Sequence, residues 1–128
     1  MKIEVSIGEV FDKISILEIK REKISDSVKV SYVEEELLVL KQTLSDYNIK
    51  IPDSLYASLK DVNMKLWETE DVIRERELAQ NFDDEFIKHA RLDAKWNDKR
   101  FLIKNEINNY CNSSIKEQKS YEQLYSAD

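Results

Sequence analysis

One glycine and one proline in 128 residues leave little material for tight turns. An all-β protein needs such residues at its hairpins, so the chain must be built from long helices with few connections. Hydrophobic residues make up 41% and charged residues 36%. That mixture suits amphipathic helices and not a disordered chain. The length fits one domain, residues 1–128, large enough to bury a core.

The same counts limit the function classes. A net charge of −6 argues against a general nucleic-acid binder, which needs a basic face for phosphate, but leaves room for a local basic pocket. The single cysteine, Cys111, permits no intramolecular disulfide and no cysteine-based zinc site, and fits a reducing compartment. One histidine, His89, cannot make a histidine-rich metal site. No run approaches the ~20 apolar residues of a membrane span, and the N-terminus carries no cleavage pattern. A cytoplasmic protein without membrane or nucleic-acid partners and without a bound cofactor is expected.

Hydrophobic spacing sets out the helices. Ser6-Ile-Gly-Glu9 is a capping box that opens helix 1 at about 7–24, with the Glu9 carboxylate reaching back to the cap. Its apolar residues Ile7, Val10, Phe11, Ile14, Leu17 and Ile24, widened by Ile16 and Ile19, predict contacts from two sides. Asp26 caps helix 2, which runs to about 45 with a narrow seam of Val30, Val33, Leu37, Leu40, Leu44 and Tyr47. Pro52 closes the longest loop and Asp53 caps helix 3, about 54–80, on a stripe of Leu55, Leu59, Val62, Leu66 and Ile73. Asn81 suits a left-handed helix end, and Asp83 caps helix 4, about 84–110. Ser114-Ile-Lys-Glu117 repeats the capping box and predicts a short helix over 115–124. The expected fold is all-α: four long helices as a bundle or a pair of antiparallel helical hairpins, plus a short C-terminal helix.

The stretch from Leu66 to Leu78 is read as the organising element. Beside its core residues, Trp67, Glu70, Asp71 and Arg74 share one face at offsets of three and four. Helix 4 is irregular. Its inner stripe passes through Phe86, Ala90, Asp93, Asn97, Arg100, Lys104, Ile107 and Cys111, apolar at both ends and polar in the middle. An unpaired buried charge costs several kcal/mol, so this middle either faces water or meets complementary groups. An antiparallel hairpin would place residues 66–78 opposite 86–98, and the charged face of helix 3 could supply those groups.

Two readings follow. Glu70, Asp71, Arg74 and Glu77 form a solvated face stiffened by Glu70–Arg74, or they join Asn97, Asp98, Arg100 and Lys104 in a site for an anionic or sugar-phosphate ligand. In the second reading Arg and Lys take phosphate, carboxylates take hydroxyls and Trp67 stacks. Glu18 and Lys20, with Arg21 and Glu22, form an ion pair at the bundle edge or a third wall of that site. Acid pairs at three-residue spacing, Glu9/Asp12 and Glu68/Asp71, resemble the magnesium-binding pairs of helical nucleotide pyrophosphohydrolases, although Glu9 also serves as a capping residue. His89 and Cys111 read as structural. No catalytic triad, glycine-rich phosphate loop or zinc spacing is present.

The ordered set of motifs is similar to a family of small helical bacterial and phage proteins of unknown function. It comprises Val5–Lys20, Leu66–Arg74, Phe86-Ile87, Ala90-Arg91, Asn97-Asp98-Lys99-Arg100, Lys104, Ile107-Asn108 and Glu117–Tyr121. This chain departs from the family at Gln118, where the family has Glu, and at Ala94-Lys95-Trp96, where it has an aromatic-rich segment. The resemblance implies a setting near sugar-transferase and surface-polysaccharide genes, but no mechanism. Three classes remain: a non-catalytic binding or accessory protein with a polar pocket between helices 1, 3 and 4, a magnesium-dependent nucleotide hydrolase, and a structural homodimer. The first is the reading adopted.

Overall fold

The computed structural model describes residues 1–124. Among them are four helices and no strand: α1 (Ile7–Lys23), α2 (Ser27–Asp46), α3 (Asp53–Leu78) and α4 (Asp84–Tyr110). Ser6 caps α1, Asp26 caps α2 and Asp83 caps α4, each accepting the amide of the residue three ahead. Asp53 does not cap α3. It is the first helical residue, behind Pro52, whose carbonyl accepts the Leu55 and Tyr56 amides.

Three helix ends turn through a left-handed residue: Asn48 (φ 54°), Gln80 (φ 53°) and Asn112 (φ 54°). In each the next amide donates to the carbonyl five residues back, as Ile49 to Leu44, Asn81 to Arg76 and Ser113 to Asn108. Asn81 was expected at the left-handed position; Gln80 holds it, because α3 ends at Leu78. Glycine usually occupies such positions. Here the sole glycine lies inside a helix contact instead.

The predicted helix over 115–124 is absent, and residues 113–124 form no regular element. Glu117, which would close its capping box, is bonded to Lys104 and Lys119.

α1 is the hub, packing on α2, α3 and α4, while α3 and α4 pack on each other. One apolar cluster joins Phe11 to Leu59, Val62, Ile103 and Ile107; a second joins Ile14 and Leu17 to Val33 and Leu37. The fold is thus two helical hairpins, α1–α2 and α3–α4, meeting along α1. The expected seam of α2 is buried only at Val33 and Leu37, and its last member, Tyr47, is exposed.

The antiparallel α3–α4 register places Lys65 over the Trp96 ring at 4.6 Å, as expected from the short connection. No residue from Glu70 to Asn97 is buried. This part of the hairpin extends beyond α1 as a two-helix arm, and two helices alone cannot enclose a side chain. The stretch from Leu66 to Leu78 therefore does not organise the fold; most of it lies on that arm.

Candidate functional site

The site begins with the close approach of α1 to α4. A Cβ on Gly8 would stand 2.6 Å from the Lys104 carbonyl oxygen and 2.9 Å from Asn108 Oδ1. With glycine there, the Gly8 amide donates to Asn108 Oδ1 at 2.7 Å. The neighbouring Ile7 amide donates to Ser113 Oγ and the Glu9 amide to Ser6 Oγ. The Ile7 and Gly8 N–H groups of the first turn are thereby satisfied, and the Glu9 N–H is shared between the Ser6 hydroxyl and carbonyl.

This docking turns Glu9 and Asp12 toward Arg100 and Lys104, two residues one turn apart on α4. Asp12 is fully buried. Its carboxylate accepts a two-pronged bond from Arg100, through Nε at 2.9 Å and Nη2, and a third bond from Asn63 Nδ2 at 2.9 Å. Asn63 also donates to Ser15 Oγ, which in turn donates to the Asp12 carbonyl. Lys104, 6% exposed, reaches Glu9 at 2.7 Å, Glu117 at 3.1 Å and Asp12 at 3.9 Å. Lys119 holds the second oxygen of Glu117 at 3.0 Å.

Burial pushes the Asp12 carboxyl up. The Arg100 bonds and charge, the Asn63 bond and the Lys104 charge outweigh it and hold Asp12 below the usual aspartate range. The Asp12 bond raises Arg100. Glu117 follows the same pattern: burial raises it, and Lys119 and Lys104 bring it below its ordinary value.

Above this ion network lies an open polar pocket of about 260 Å³, lined by Glu9, Asn97, Arg100, Phe101, Lys104, Glu117 and Lys119. Three cations and two carboxylates line it, and the buried Asp12 lies behind Arg100. Such an arrangement can exchange one carboxylate for another anion with little change in local charge.

The sequence candidates divide by location. Asn97, Arg100 and Lys104 line the pocket. Asp98 is buried beside it and accepts the Leu124 amide. Glu70 and Arg74 lie on the arm, in a separate pocket of about 230 Å³ with Ile73 and Asp93. There burial and the Asp93 carboxylate raise the Glu70 carboxyl, with Arg74 and Arg100 offsetting only part. Asp93 Oδ1 is buried without a hydrogen bond among the described residues. Asp71 is exposed and Trp67 half-buried on α3, outside both pockets. Glu18 pairs with Tyr56 and Arg21 at the α1–α3 contact, and Lys20 follows on the same helix, so neither forms a wall of the pocket.

The groups that balance the polar middle of α4 thus come from α1 and the C-terminal segment. Among the described residues, α3 supplies Asn63 beneath the pocket, and Glu70 meets Asp93 further along the arm. Asp12 carried a signal in the sequence, an acid next to Phe11 on the buried stripe, and Glu117 and Lys119 fell within the family-like segment Glu117–Tyr121. Asn63 carried none.

The magnesium alternative fits these donors poorly. Glu9 and Asp12 are bonded to Lys104 and Arg100, and Glu68 and Asp71 are exposed. Among the described residues no three Asp, Glu, His or Cys side chains gather as a metal site. His89 is engaged with the Glu85 carbonyl at 2.8 Å, one turn back. No described helix is long and apolar enough to cross a membrane.

No curated protein and no solved structure matches the chain. A family model, the family of unknown function DUF6165, matches residues 1–128, and the chain belongs to that family.

Proposed function

We propose that this is a non-catalytic binding or accessory protein of the cytoplasm, whose ligand is a small anionic molecule of the sugar-phosphate or sugar-nucleotide class. The ligand sits between α1, α4 and the C-terminal segment. The observation that carries the reading is Lys104. A lysine is almost never buried unless paired, and this one lies at the floor of a polar pocket with Arg100 and Lys119 on its walls. The resemblance to proteins from a sugar-transferase setting supports the sugar part of the ligand.

A thermal-shift screen tests this, using inorganic phosphate, sugar phosphates and sugar nucleotides against the parent, Lys119→Ala and Arg74→Ala. Lys119 lies on the irregular C-terminal segment, so its loss spares the core. A ligand at 100 times its Kd stabilises by about 2.7 kcal/mol. The parent and Arg74→Ala should shift and Lys119→Ala should shift less. An unchanged parent across all three classes removes the reading.

We also propose a homodimer through α2. Its outer face exposes Val28, Tyr32, Leu38 and Val39, and among the helices it packs only on α1. Sedimentation of the parent beside Leu38→Glu tests it; a monomeric parent rejects it.

A further inference from the structure

Beyond α4 the chain reverses at Asn112 and runs back along the helix it has just left. Ser113 bonds to Asn108, Glu117 to Lys104, and the Leu124 amide to Asp98, while Lys119 lies 5.9 Å from the centre of the Phe101 ring. As the strap residue number rises, the α4 number falls. Ile115, Tyr121 and Leu124 on this strap are exposed, so apolar burial contributes little to holding it. Its central fastening is Glu117, whose two oxygens bridge Lys104 at 3.1 Å and Lys119 at 3.0 Å inside the pocket.

We infer that Glu117 holds the place of a phosphate-type dianion, and that such a ligand displaces Glu117 while Lys104 and Lys119 pass from its two oxygens to oxygens of the ligand. The inference rests on the anion reading of the pocket and adds the ligand's charged group and its consequence. Two ammonium groups on separate oxygens of one carboxylate are also the arrangement that two oxygens of a phosphate would take. Electrostatics favour exchange over addition. Three cations already face three carboxylates, so a dianion bound beside Glu117 would leave the cluster two charges negative, whereas one bound in its place leaves it one charge negative.

The test measures binding to the full chain and to Glu117→Gln, with inorganic phosphate and glucose 1-phosphate as ligands. Titration calorimetry gives affinity. The expected result is binding to Glu117→Gln about fivefold tighter than to the parent, the factor a competing ion pair supplies. Tighter binding of glucose 1-phosphate than of phosphate would mean that the sugar also contacts the protein. Equal or weaker affinity in Glu117→Gln overturns the exchange inference and leaves the pocket reading standing. Absence of binding to both proteins removes both.

Discussion

The Gly8 amide donates to Asn108 Oδ1 at 2.7 Å, joining the first turn of α1 to the last turn of α4 across 100 residues of chain. This contact brings Glu9 and Asp12 within reach of Lys104 and Arg100. Gly8→Ala should therefore destabilise the protein even though alanine is the better helix former. The added methyl meets a backbone carbonyl that cannot swing aside. Overpacking costs about 1–3 kcal/mol, against a propensity gain of up to ~1 kcal/mol. Urea unfolding of the variant should show a lower midpoint; an unchanged or higher midpoint would mean that α1 can move off α4 without loss.

Arg100 and Asp12 should behave as a coupled pair. Arg100→Ala leaves the buried Asp12 carboxylate with Asn63 and a distant lysine, a loss of about 3 kcal/mol. Arg100→Lys keeps the charge but not the two-pronged bond and should fall between. The double variant Asp12→Asn with Arg100→Ala should be less destabilised than the sum of the singles. A double-mutant cycle by denaturant unfolding measures this, and simple additivity would remove the coupling.

Acid should weaken the protein through the same carboxylates. Asp12 and Glu117 both titrate below their ordinary values when folded. Their stabilisation is thus fully present above the ordinary carboxylate range and is lost as pH falls through the depressed folded values. Melting temperature should fall below roughly pH 4. Asp12→Asn should start lower at neutral pH and flatten that slope. A parallel slope in the variant would place the acid sensitivity elsewhere.

Glu70 should give the opposite sign. Its folded value is raised, so its contribution is fully present below the ordinary glutamate value and is lost as pH rises through the folded value. Glu70→Gln should therefore stabilise the protein at pH 7 by a few tenths of a kcal/mol after solvent screening, read as a slightly higher melting temperature. The gain should vanish near pH 4. Paired melts at the two pH values decide it, and a loss at pH 7 would mean that the Glu70–Arg74 attraction outweighs the Asp93 repulsion.

The sequence was most legible where partners lie within one turn of each other. Ser6, Asp26 and Asp83 were readable as caps because their acceptors and amides are three residues apart. Stripes such as Leu59, Val62 and Leu66 were readable because helix period fixes which side chains share a face. The polar middle of α4 was legible as an anomaly, with water or the charged face of α3 as its possible company, whereas Arg100 and Lys104 meet acids from α1 and the C-terminal segment.

By itself, then, the sequence determined four amphipathic helices, their approximate ends, the antiparallel α3–α4 hairpin and the need of Arg100 and Lys104 for company. Only the tertiary structure decided who keeps that company. Glu117 leaves its local capping pattern for Lys104, Gln80 takes the left-handed position expected of Asn81, and Glu70 stays on the arm, away from the pocket. The reason is physical. Caps and stripes are set by distances along one helix, which the residue spacing fixes. Pairings between helices depend on how closely two backbones approach, and here that approach is set by one missing Cβ at Gly8.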